Sequence, residues 1–359
     1  MTTLSEKPSA PSTRQVSKRV SQSVFDGSRL RVVLLVDVHD GAQQQFLEAY
    51  EQLCNQVAQV PGHVSDQLCQ SIENPSQWLI TSEWESAPPF LTWVNSEEHV
   101  RMVEPLHSCV RDTRSLRFHV VRETGGGAGA SAARRLQSSP RIGDGVIRHA
   151  LTFTVRPGSE QEVKRILAGY ASPRARVDET TRLCRTSLFM HGNRVVRAIE
   201  VRGDLLAALR HVARQPEVRA VEEAINPYLE QERDLDDQES ARVFFTRAAL
   251  PAVHHVTAEE LTEGERLARY YPARPGGGMR LAELLAQQDE AAADDPDSPV
   301  LRSTIFQRDD VVVRLLDVRP GLGARAASPE PGHPAALEAL LDGEPVAMDL
   351  VTDRRSPDA

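Results

Sequence analysis

The sequence predicts an α+β protein built from tandem units, each with the order strand, helix, hairpin, helix, strand. The main observation is an internal repeat, in which TSLFMHGNRVVRAIEV at 186–201 matches STIFQRDDVVVRLLDV at 303–318. Phe189 and Phe306, 117 residues apart, are equivalent positions. Each copy has two β-rich runs joined by Gly-Asn or Asp-Asp, which tolerate positive φ in a tight turn. Each copy therefore predicts a β-hairpin.

The repeat extends to the strand and helix that precede each hairpin. VRPGSEQEVKRILAGY at 155–170 resembles ARPGGGMRLAELLAQQ at 273–288, and in both a Pro-Gly turn precedes an amphipathic helical pattern. A helix and a strand follow each hairpin, so the full order is β-α-β-β-α-β, the order of a ferredoxin-like domain. The repeat predicts two such units, which we call units two and three.

The region before the repeat gives the same order of elements without obvious identity. Residues 29–123 contain the strand RLRVVLLVDV, the helix AQQQFLEAYEQLCNQV, the hairpin VSDQLCQSIENPSQWLITSEW, the helix SEEHVRMVEPLHSCV and the strand RSLRFHVV. We call this region unit one. The predicted fold is therefore three tandem ferredoxin-like units.

Composition places the boundaries between these units. A Gly/Ala/Ser-rich stretch separates units one and two, and the chain begins with a stretch rich in Ser, Lys, Arg and Pro. A short helix is predicted from near Thr257, where Thr-x-x-Glu forms a capping box. The predicted division is a disordered tail at 1–27, unit one at 28–123, a linker at 124–145, unit two at 146–250, unit three at 251–352 and a tail at 353–359.

Composition and charge exclude several classes of protein. The 359 residues are 40% hydrophobic and 26% charged, which suffices for two or three globular cores. The net charge of -9 argues against sequence-independent nucleic-acid binding, which needs a basic surface. No segment has the pattern of a signal peptide or a membrane span, and the four cysteines lack CxxC spacing. A cytoplasmic protein with reduced thiols and no membrane contact is therefore expected.

No motif indicates a metal, a nicotinamide or a flavin. His254 and His255 are adjacent and lack the i, i+4 spacing of a helical metal site. The glycine-rich runs lie in the linker and before the first helix of unit three, and neither forms a GxGxxG turn after a strand. The sequence therefore predicts no bound cofactor.

The first strand of unit one is apolar on both faces. Residues 32–36 are continuously apolar, whereas the helices of a single ferredoxin-like unit cover only one face of its sheet. The other face then needs a second sheet. With three units one is left over, so two are expected to pair within the chain and the third to pair across a homodimer.

Two family resemblances follow from these segments. Unit one, from RLRVVLLVDV through NPSQWLITSEWES to LRFHVVRE, resembles the antibiotic biosynthesis monooxygenases. That resemblance implies units that pair as dimeric α+β barrels and oxygenate aromatic polyketides, with molecular oxygen as co-substrate and no bound cofactor. Units two and three resemble the SchA/CurD-like proteins of spore-pigment clusters. The segment QPEVRAVEEAINPYLEQERDLDDQESARVFFTRA is similar to tetracenomycin-type polyketide cyclases, which implies ring cyclisation.

A cofactor-free oxygenase uses its substrate as the reductant, so the protein must supply a dry pocket, a proton acceptor and donors to an enolate oxygen. In the family that unit one resembles, an Asn and a Trp four residues apart act as donors, which implies these roles for Asn74 and Trp78. Trp84, six residues after Trp78, is expected on the same strand face. The resemblance also implies a pocket-facing cation on the second helix, where His99 and Arg101 lie.

Histidines are the candidate bases in unit one, because only histidine changes charge near neutral pH. The candidates are His63, His99 and His107. A structural interpretation stays open for each candidate in this unit: Asn74 begins an Asn-Pro-Ser turn, and tryptophans are typical core residues of a sheet.

A cyclase in unit two needs cationic and hydrogen-bonding groups at an apolar mouth. His149 alternates onto the apolar face of its strand, and Arg197 recurs as Arg314 in unit three, which equally favours a structural role. Unit three has a short second helix, HPAALEALLDG, and is expected to be a structural partner. The candidate substrate-binding residues of unit two are His149, Arg185, His191, Arg197 and Tyr228.

The sequence thus predicts an aromatic polyketide enzyme, a monooxygenase that forms a quinone and is coupled to ring cyclisation. Two alternatives remain: a polyketide aromatase/cyclase without oxygenation, and a non-catalytic assembly subunit. The expected partners are an aromatic polyketide intermediate, a second copy of the chain and other polyketide cyclases.

Overall fold

A computed structural model of the protein describes residues 20–121, 143–258, 264–322 and 335–356. A short strand precedes unit one, which has the predicted β-α-β-β-α-β order with one additional helix before the second predicted helix. The elements are β1 (Val20–Ser23), β2 (Leu30–Val38), α1 (Gln43–Val57), β3 (His63–Gln70), β4 (Gln77–Trp84), α2 (Ala87–Val94), α3 (Glu97–His107) and β5 (Val110–His119).

Units two and three both follow the predicted order. Unit two contains β6 (Val146–Thr154), α4 (Glu160–Gly169), β7 (Arg182–His191), β8 (Arg194–Arg202), α5 (Leu205–Ala213), α6 (Pro216–Ile225), the 3-10 helix Asn226–Tyr228, α7 (Gln238–Ala248) and β9 (Ala249–Thr257). Unit three contains β10 (Glu265–Pro272), α8 (Gly278–Asp294), β11 (Val300–Arg308), β12 (Val311–Val318), α9 (Ala335–Glu338) and β13 (Val346–Arg355). Among the described residues no helix is both long and apolar enough to cross a membrane.

Units two and three close into one antiparallel barrel of eight strands. Within each unit the last strand lies beside the first, giving β9-β6-β8-β7 and β13-β10-β12-β11. The last strand of each unit also pairs with the second strand of the other, through β13 with β7 and β9 with β11. Two of the three units therefore pair within the chain, as the sequence predicts.

The structure corrects the predicted boundaries at two places. Val20–Ser23, placed in a disordered tail by composition, forms β1 and pairs with β9. This edge of β9 is free because β6 pairs only as far as Pro251. The predicted start of unit three at residue 251 falls inside β9, which completes unit two and ends at Thr257. The helix predicted to follow Thr257 falls on residues 259–263, outside the described residues. The remainder of the tail (1–19), most of the linker and residues 259–263 lie outside the described residues.

Unit one packs its helix side against unit three. Phe90 and Leu91 of α2 share one apolar core with Leu281 and Leu285 of α8, and Tyr271 of β10 lies in the same core. The second predicted helix of unit one corresponds to α3, which begins after its N-cap Ser96, and the additional helix α2 precedes it. This packing places the helix side of unit one between its own sheet and the barrel.

The opposite face of the unit one sheet is uncovered. Its strands lie in the order β3-β4-β2-β5, and side chains alternate across them. On the open face Leu35 is 43% exposed and Phe118 is 50% exposed, although both are large and apolar. The covering sheet predicted from residues 32–36 is therefore not supplied by the described part of the same chain.

The barrel interior has an apolar layer and a charged layer. Phe189, Val196 and Phe306 belong to the apolar layer. In the charged layer Arg185 of β7 donates to Asp317 of β12 at 2.9 Å. Strands β7 and β12 are separated by two others around the barrel, so this ion pair crosses the interior. The barrel is therefore filled by side chains, which is typical of eight strands.

Candidate functional site

The helix face of the unit one sheet carries an aromatic cluster around Trp84. Trp84 ends β4, is fully buried and stacks on Trp93 of α2 with 5.4 Å between ring centroids. Phe90 meets the Trp84 ring at 5.3 Å, and the Trp84 indole N–H donates to Ser82 Oγ at 2.8 Å. These contacts make the centre of the cluster apolar and rigid. We call the following residues the Trp84 cluster: His63, Trp84, Phe90, Trp93 and His99.

A β-bulge holds His63 in this cluster. His63 lies opposite Trp84 in the β3–β4 register, with 5.2 Å between ring centroids. The register shifts between His63 and Ser65, which turns His63 and Asp66 to the same face, whereas residues three apart on a regular strand face opposite ways. His63 Nε2 consequently lies 2.8 Å from Asp66 Oδ2. A carboxylate at this position fixes the orientation of the imidazole.

His99 lies on the other side of the cluster and is uncharged at neutral pH. Ser96 Oγ accepts a hydrogen bond from the His99 amide at 3.1 Å, which fixes His99 in the first turn of α3. The imidazole meets Trp93 edge-on at 4.5 Å. Burial lowers the His99 pKa to about 4, and the positive charges of His107 and Arg117 act in the same direction. Its buried Nδ1 has no hydrogen-bond partner in the described ranges.

Trp78 lies in a separate core at the other end of β4. It packs on Phe46 of α1 with 5.4 Å between ring centroids. Trp78 and Trp84 share the helix face as predicted, but six residues of strand separate them by about 20 Å. The Trp78 indole N–H is buried and has no hydrogen-bond partner among the described residues. Near it, burial raises the pKa of Tyr50 to about 12, helped by the charge of Asp66.

Three other predicted residues of unit one lie outside the Trp84 cluster. Asn74 Oδ1 accepts hydrogen bonds from the Ser76 amide at 3.1 Å and the Ser76 hydroxyl at 2.8 Å, so the Asn74 carboxamide stabilises an exposed turn. Arg101 is exposed and donates to a backbone carbonyl of its own helix. His107 ends α3 and lies 3.2 Å from Arg242 of unit two. The structure therefore does not bring Asn74, Trp78 and Trp84 into one pocket.

In unit two, Arg197 is buried beneath the helices and shares a carboxylate with a second arginine. Arg197 donates to Glu222 of α6 at 2.6 Å, and Arg233 donates to the other Glu222 oxygen at 2.7 Å. Burial alone would raise the Glu222 pKa, but the two guanidinium charges hold it below its ordinary value. The repeat-related Arg314 also has a carboxylate partner, donating to Asp289 of α8, the first helix of unit three, at 2.9 Å. Both arginines thus tie the third strand of a unit to a helix.

The other candidates in unit two do not converge on Arg197. Arg185 lies on the opposite face of the sheet, where Asp317 and Asp353 accept its hydrogen bonds inside the barrel. His191 is exposed at the end of β7, and Tyr228 is half-buried in the 3-10 helix. His149 faces the helix side beside Ile199, as the alternation predicts. Burial lowers the His149 pKa to about 4, and the charge of Arg117 contributes.

The sequence did not single out several residues that complete these arrangements. Asp66 was missed because a bulge reverses its face, and Trp93 because α2 was not predicted as a helix. Glu222 is one of two adjacent glutamates in VRAVEEAI, and only the phase of α6 decides which one is buried. Arg117 was missed because its surroundings come from two units of the chain.

The fold and the aromatic cluster define an α+β protein in which a domain of the antibiotic biosynthesis monooxygenase type precedes an antiparallel barrel. The family model described as antibiotic biosynthesis monooxygenase matches residues 29–105, and the model described as SchA/CurD like domain matches residues 146–258. The chain belongs to the SchA/CurD family, since three curated relatives match nearly its whole length.

These relatives all come from Streptomyces. Polyketide synthase CurD of Streptomyces cyaneus is 65% identical over 95% of this chain and 98% of its own. The 42.8 kDa protein in the whiE locus of Streptomyces coelicolor is 61% identical over 94% of this chain and 90% of its own. Protein SchA of Streptomyces halstedii is 60% identical over 95% of this chain and 92% of its own. Among solved structures, SnoaB of Streptomyces nogalater, a cofactor-independent oxygenase, is 15% identical with a TM-score of 0.25, covering 29% of this chain and 99% of that chain.

Proposed function

We propose that this protein is an aromatic polyketide enzyme in which unit one oxygenates a polycyclic phenol or anthrone to a quinone without a bound cofactor. The observation that carries the proposal is the neutral His99 imidazole, held against Trp93 in the domain that the monooxygenase family model matches. A neutral imidazole is a proton acceptor at physiological pH, and an aromatic cluster provides apolar surface for a polycyclic ring. The match to polyketide synthase CurD supports the substrate class.

In the proposed reaction His99 takes a proton from the activated CH₂ carbon of an anthrone. The resulting carbanion reduces dioxygen and forms a carbon–oxygen bond, and the peroxide takes up a proton. Loss of water from this hydroperoxide leaves the quinone carbonyl. One oxygen atom enters the product and the other leaves as water, so the substrate supplies all the electrons. Exclusion of bulk water by the Trp84 cluster limits premature protonation of the carbanion.

Dioxygen uptake with an anthrone, by purified protein treated with a metal chelator, tests this function. We expect His99→Gln to lower the rate by about 100-fold or more, because a positioned general base typically contributes that much. His39→Gln is the matched control, since His39 is an exposed histidine of the same unit. Full uptake by His99→Gln would contradict the role of His99, and no uptake by the unaltered protein would contradict the oxygenase function. The donor roles predicted for Asn74 and Trp78 stay predictions, and the same assay measures them.

A second candidate function is ring cyclisation in unit two. The buried Nε of Arg197 has no partner among the described residues, and the half-buried Phe153 lies 6.2 Å from the Phe244 ring in the same core. Cationic donors beside aromatic side chains suit an enolate. Formation of a cyclised product from a poly-β-ketone under nitrogen would support this function. Binding without turnover, together with co-purification of polyketide cyclases, would instead favour an assembly subunit.

We also propose that unit one binds a second copy of the chain through its open face. Units two and three have the same strand order as unit one, and each covers the open face and both sheet edges of the other. Unit one presents the same apolar face and the same edges, β3 and β5. A second unit one, related by a two-fold axis, supplies the matching sheet.

A further inference from the structure

Arg117 differs in its surroundings from four other arginines of this chain. Arg185, Arg197, Arg266 and Arg314 each have a carboxylate partner. Arg117, by contrast, makes neither an ion pair nor a hydrogen bond to any other described residue. Its guanidinium carbon lies 5.3 Å from the centroid of the Phe90 ring. This cation–π contact orients the guanidinium but does not neutralise its charge.

The position of Arg117 makes it accessible to a ligand at the helix side of unit one. It lies on β5, opposite Val32 in the register, so its side chain projects from the same face as the Trp84 cluster. Strand β5 is an edge of the sheet, and Arg117 is exposed there although Val32 beside it is buried. The guanidinium is thus a solvent-accessible cation above the ring of a buried aromatic residue.

Two uncharged histidines from different units lie within electrostatic range of Arg117. The positive charge of Arg117 lowers the pKa of His99 in unit one and of His149 in unit two, in addition to the larger effect of burial. Because one arginine influences both imidazoles, Arg117 lies at the junction of units one and two. From Arg117 the aromatic contacts run through Phe90 to Trp93 at 6.2 Å and then to His99 at 4.5 Å.

We propose that Arg117 binds the anionic oxygen of an aromatic phenolate or enolate at the junction of units one and two, with the ligand ring beside the half-buried Trp93. The proposal rests on the proposed action on polycyclic phenols and adds the residue that recognises their charge. An arginine without a carboxylate partner gains a charge-assisted hydrogen bond from such an oxygen. Its charge also favours ionisation of the bound phenol, which prepares the electron-rich anion that reacts with dioxygen.

Equilibrium binding of 1,8-dihydroxyanthraquinone to the full-length protein, followed by quenching of tryptophan fluorescence, tests the proposal without any need for turnover. We expect Arg117→Gln to raise the Kd by about tenfold or more, because a charge-assisted hydrogen bond contributes at least about 1.5 kcal/mol. Arg165→Gln is the control, since Arg165 is an exposed arginine on α4 of unit two, and its Kd should match that of the unaltered protein.

Arg117→Lys retains the charge, so we expect it to bind more tightly than Arg117→Gln. Equal affinities for Arg117→Gln and the unaltered protein would overturn the proposal. Equal weakening by Arg165→Gln and Arg117→Gln would overturn it as well, because the effect would then be nonspecific. Loss of binding in Arg117→Gln alone supports the site even if the unaltered protein takes up no dioxygen. In that case the oxygenase function fails and the binding site remains.

Discussion

His99 and His149 belong to different units, yet each has a pKa lowered to about 4, mainly by burial. Both are within range of the Arg117 charge, which further disfavours a second positive charge nearby. At neutral pH both rings are therefore uncharged and able to accept a proton. The same burial makes them sensitive to acid, because protonation requires a charge in a desolvated position.

Acid should destabilise the protein as these two histidines become protonated. In the unfolded chain the pKa of each imidazole is about 6.5, whereas in the folded protein it is about 4. Between these values the unfolded state binds more protons, so stability is complete above about pH 6.5 and is lost as the pH falls towards 4. Urea unfolding at pH 7.5 and 5.0 measures this loss. It should be smaller in the double variant His99→Gln/His149→Gln, and an equal loss in both proteins would contradict the prediction.

At the scale of elements, the repeat-related arginines Arg197 and Arg314 each join a strand to a helix, through the pairs Arg197–Glu222 and Arg314–Asp289. The unit three pair is the more completely enclosed, since the Asp289 side chain is 0% exposed and Ser303 donates to its second oxygen at 2.6 Å. Charges at these depths are retained only as satisfied pairs. The two carboxylates come from helices at different positions in the repeat, but each satisfies the charge of its arginine, which indicates a structural role for both pairs that the sequence had left open for Arg197.

Asp289→Ala should therefore destabilise the barrel strongly. The substitution leaves Arg314 buried without its carboxylate, and breaking a buried pair in this way costs about 3–5 kcal/mol. The free energy of unfolding in urea at pH 7 provides the measurement. Glu162→Ala is the control, because it removes an ion pair with Arg165 that lies on the exposed surface of α4, and no measurable change is expected. A similar small effect for Asp289→Ala would show that the pair does not support the barrel.

At the scale of the whole molecule, the three units use their sheets in two ways. Units two and three cover each other's open faces and form the barrel, whereas unit one turns its helix side to the barrel and leaves its open face uncovered. The exposed Leu35 and Phe118 lie on that face. Burial of such a face against a second copy would recover the apolar area that the single chain leaves in water.

The proposed dimer predicts a particle with twice the 39.7 kDa mass of one chain at micromolar concentration. Leu35→Glu combined with Phe118→Glu should yield monomers, because two charges would enter the apolar interface. Ile72→Glu changes a fully exposed apolar residue in the β3–β4 turn, off the open face, and should leave the dimer intact. Mass photometry distinguishes these outcomes. A monomeric unaltered protein would contradict the dimer.

The sequence predicted much of the fold because the patterns that indicate strands, helices and turns are contained in short segments. The hairpin repeat and the alternation of Trp78 and Trp84 depend on neighbouring residues, and all three units have the predicted order of strands. Of the five residues of the Trp84 cluster, the sequence named His63, Trp84 and His99 but neither Phe90 nor Trp93. Asp66 depends on a bulge in β3, and the aromatic contacts of His99 depend on the additional helix α2. Neither feature has a strong signal in the local sequence.

The sequence by itself determined the three β-α-β-β-α-β units and their family, because periodicity, turn residues and the internal repeat are properties of short segments. Only the tertiary structure decided which units share a barrel, that Arg185 and Arg197 lie on opposite faces of one sheet, and that the Arg117 charge reaches both His99 and His149. These relations join residues far apart in the chain. They are set by how the sheets close and pack, and no local pattern encodes that packing.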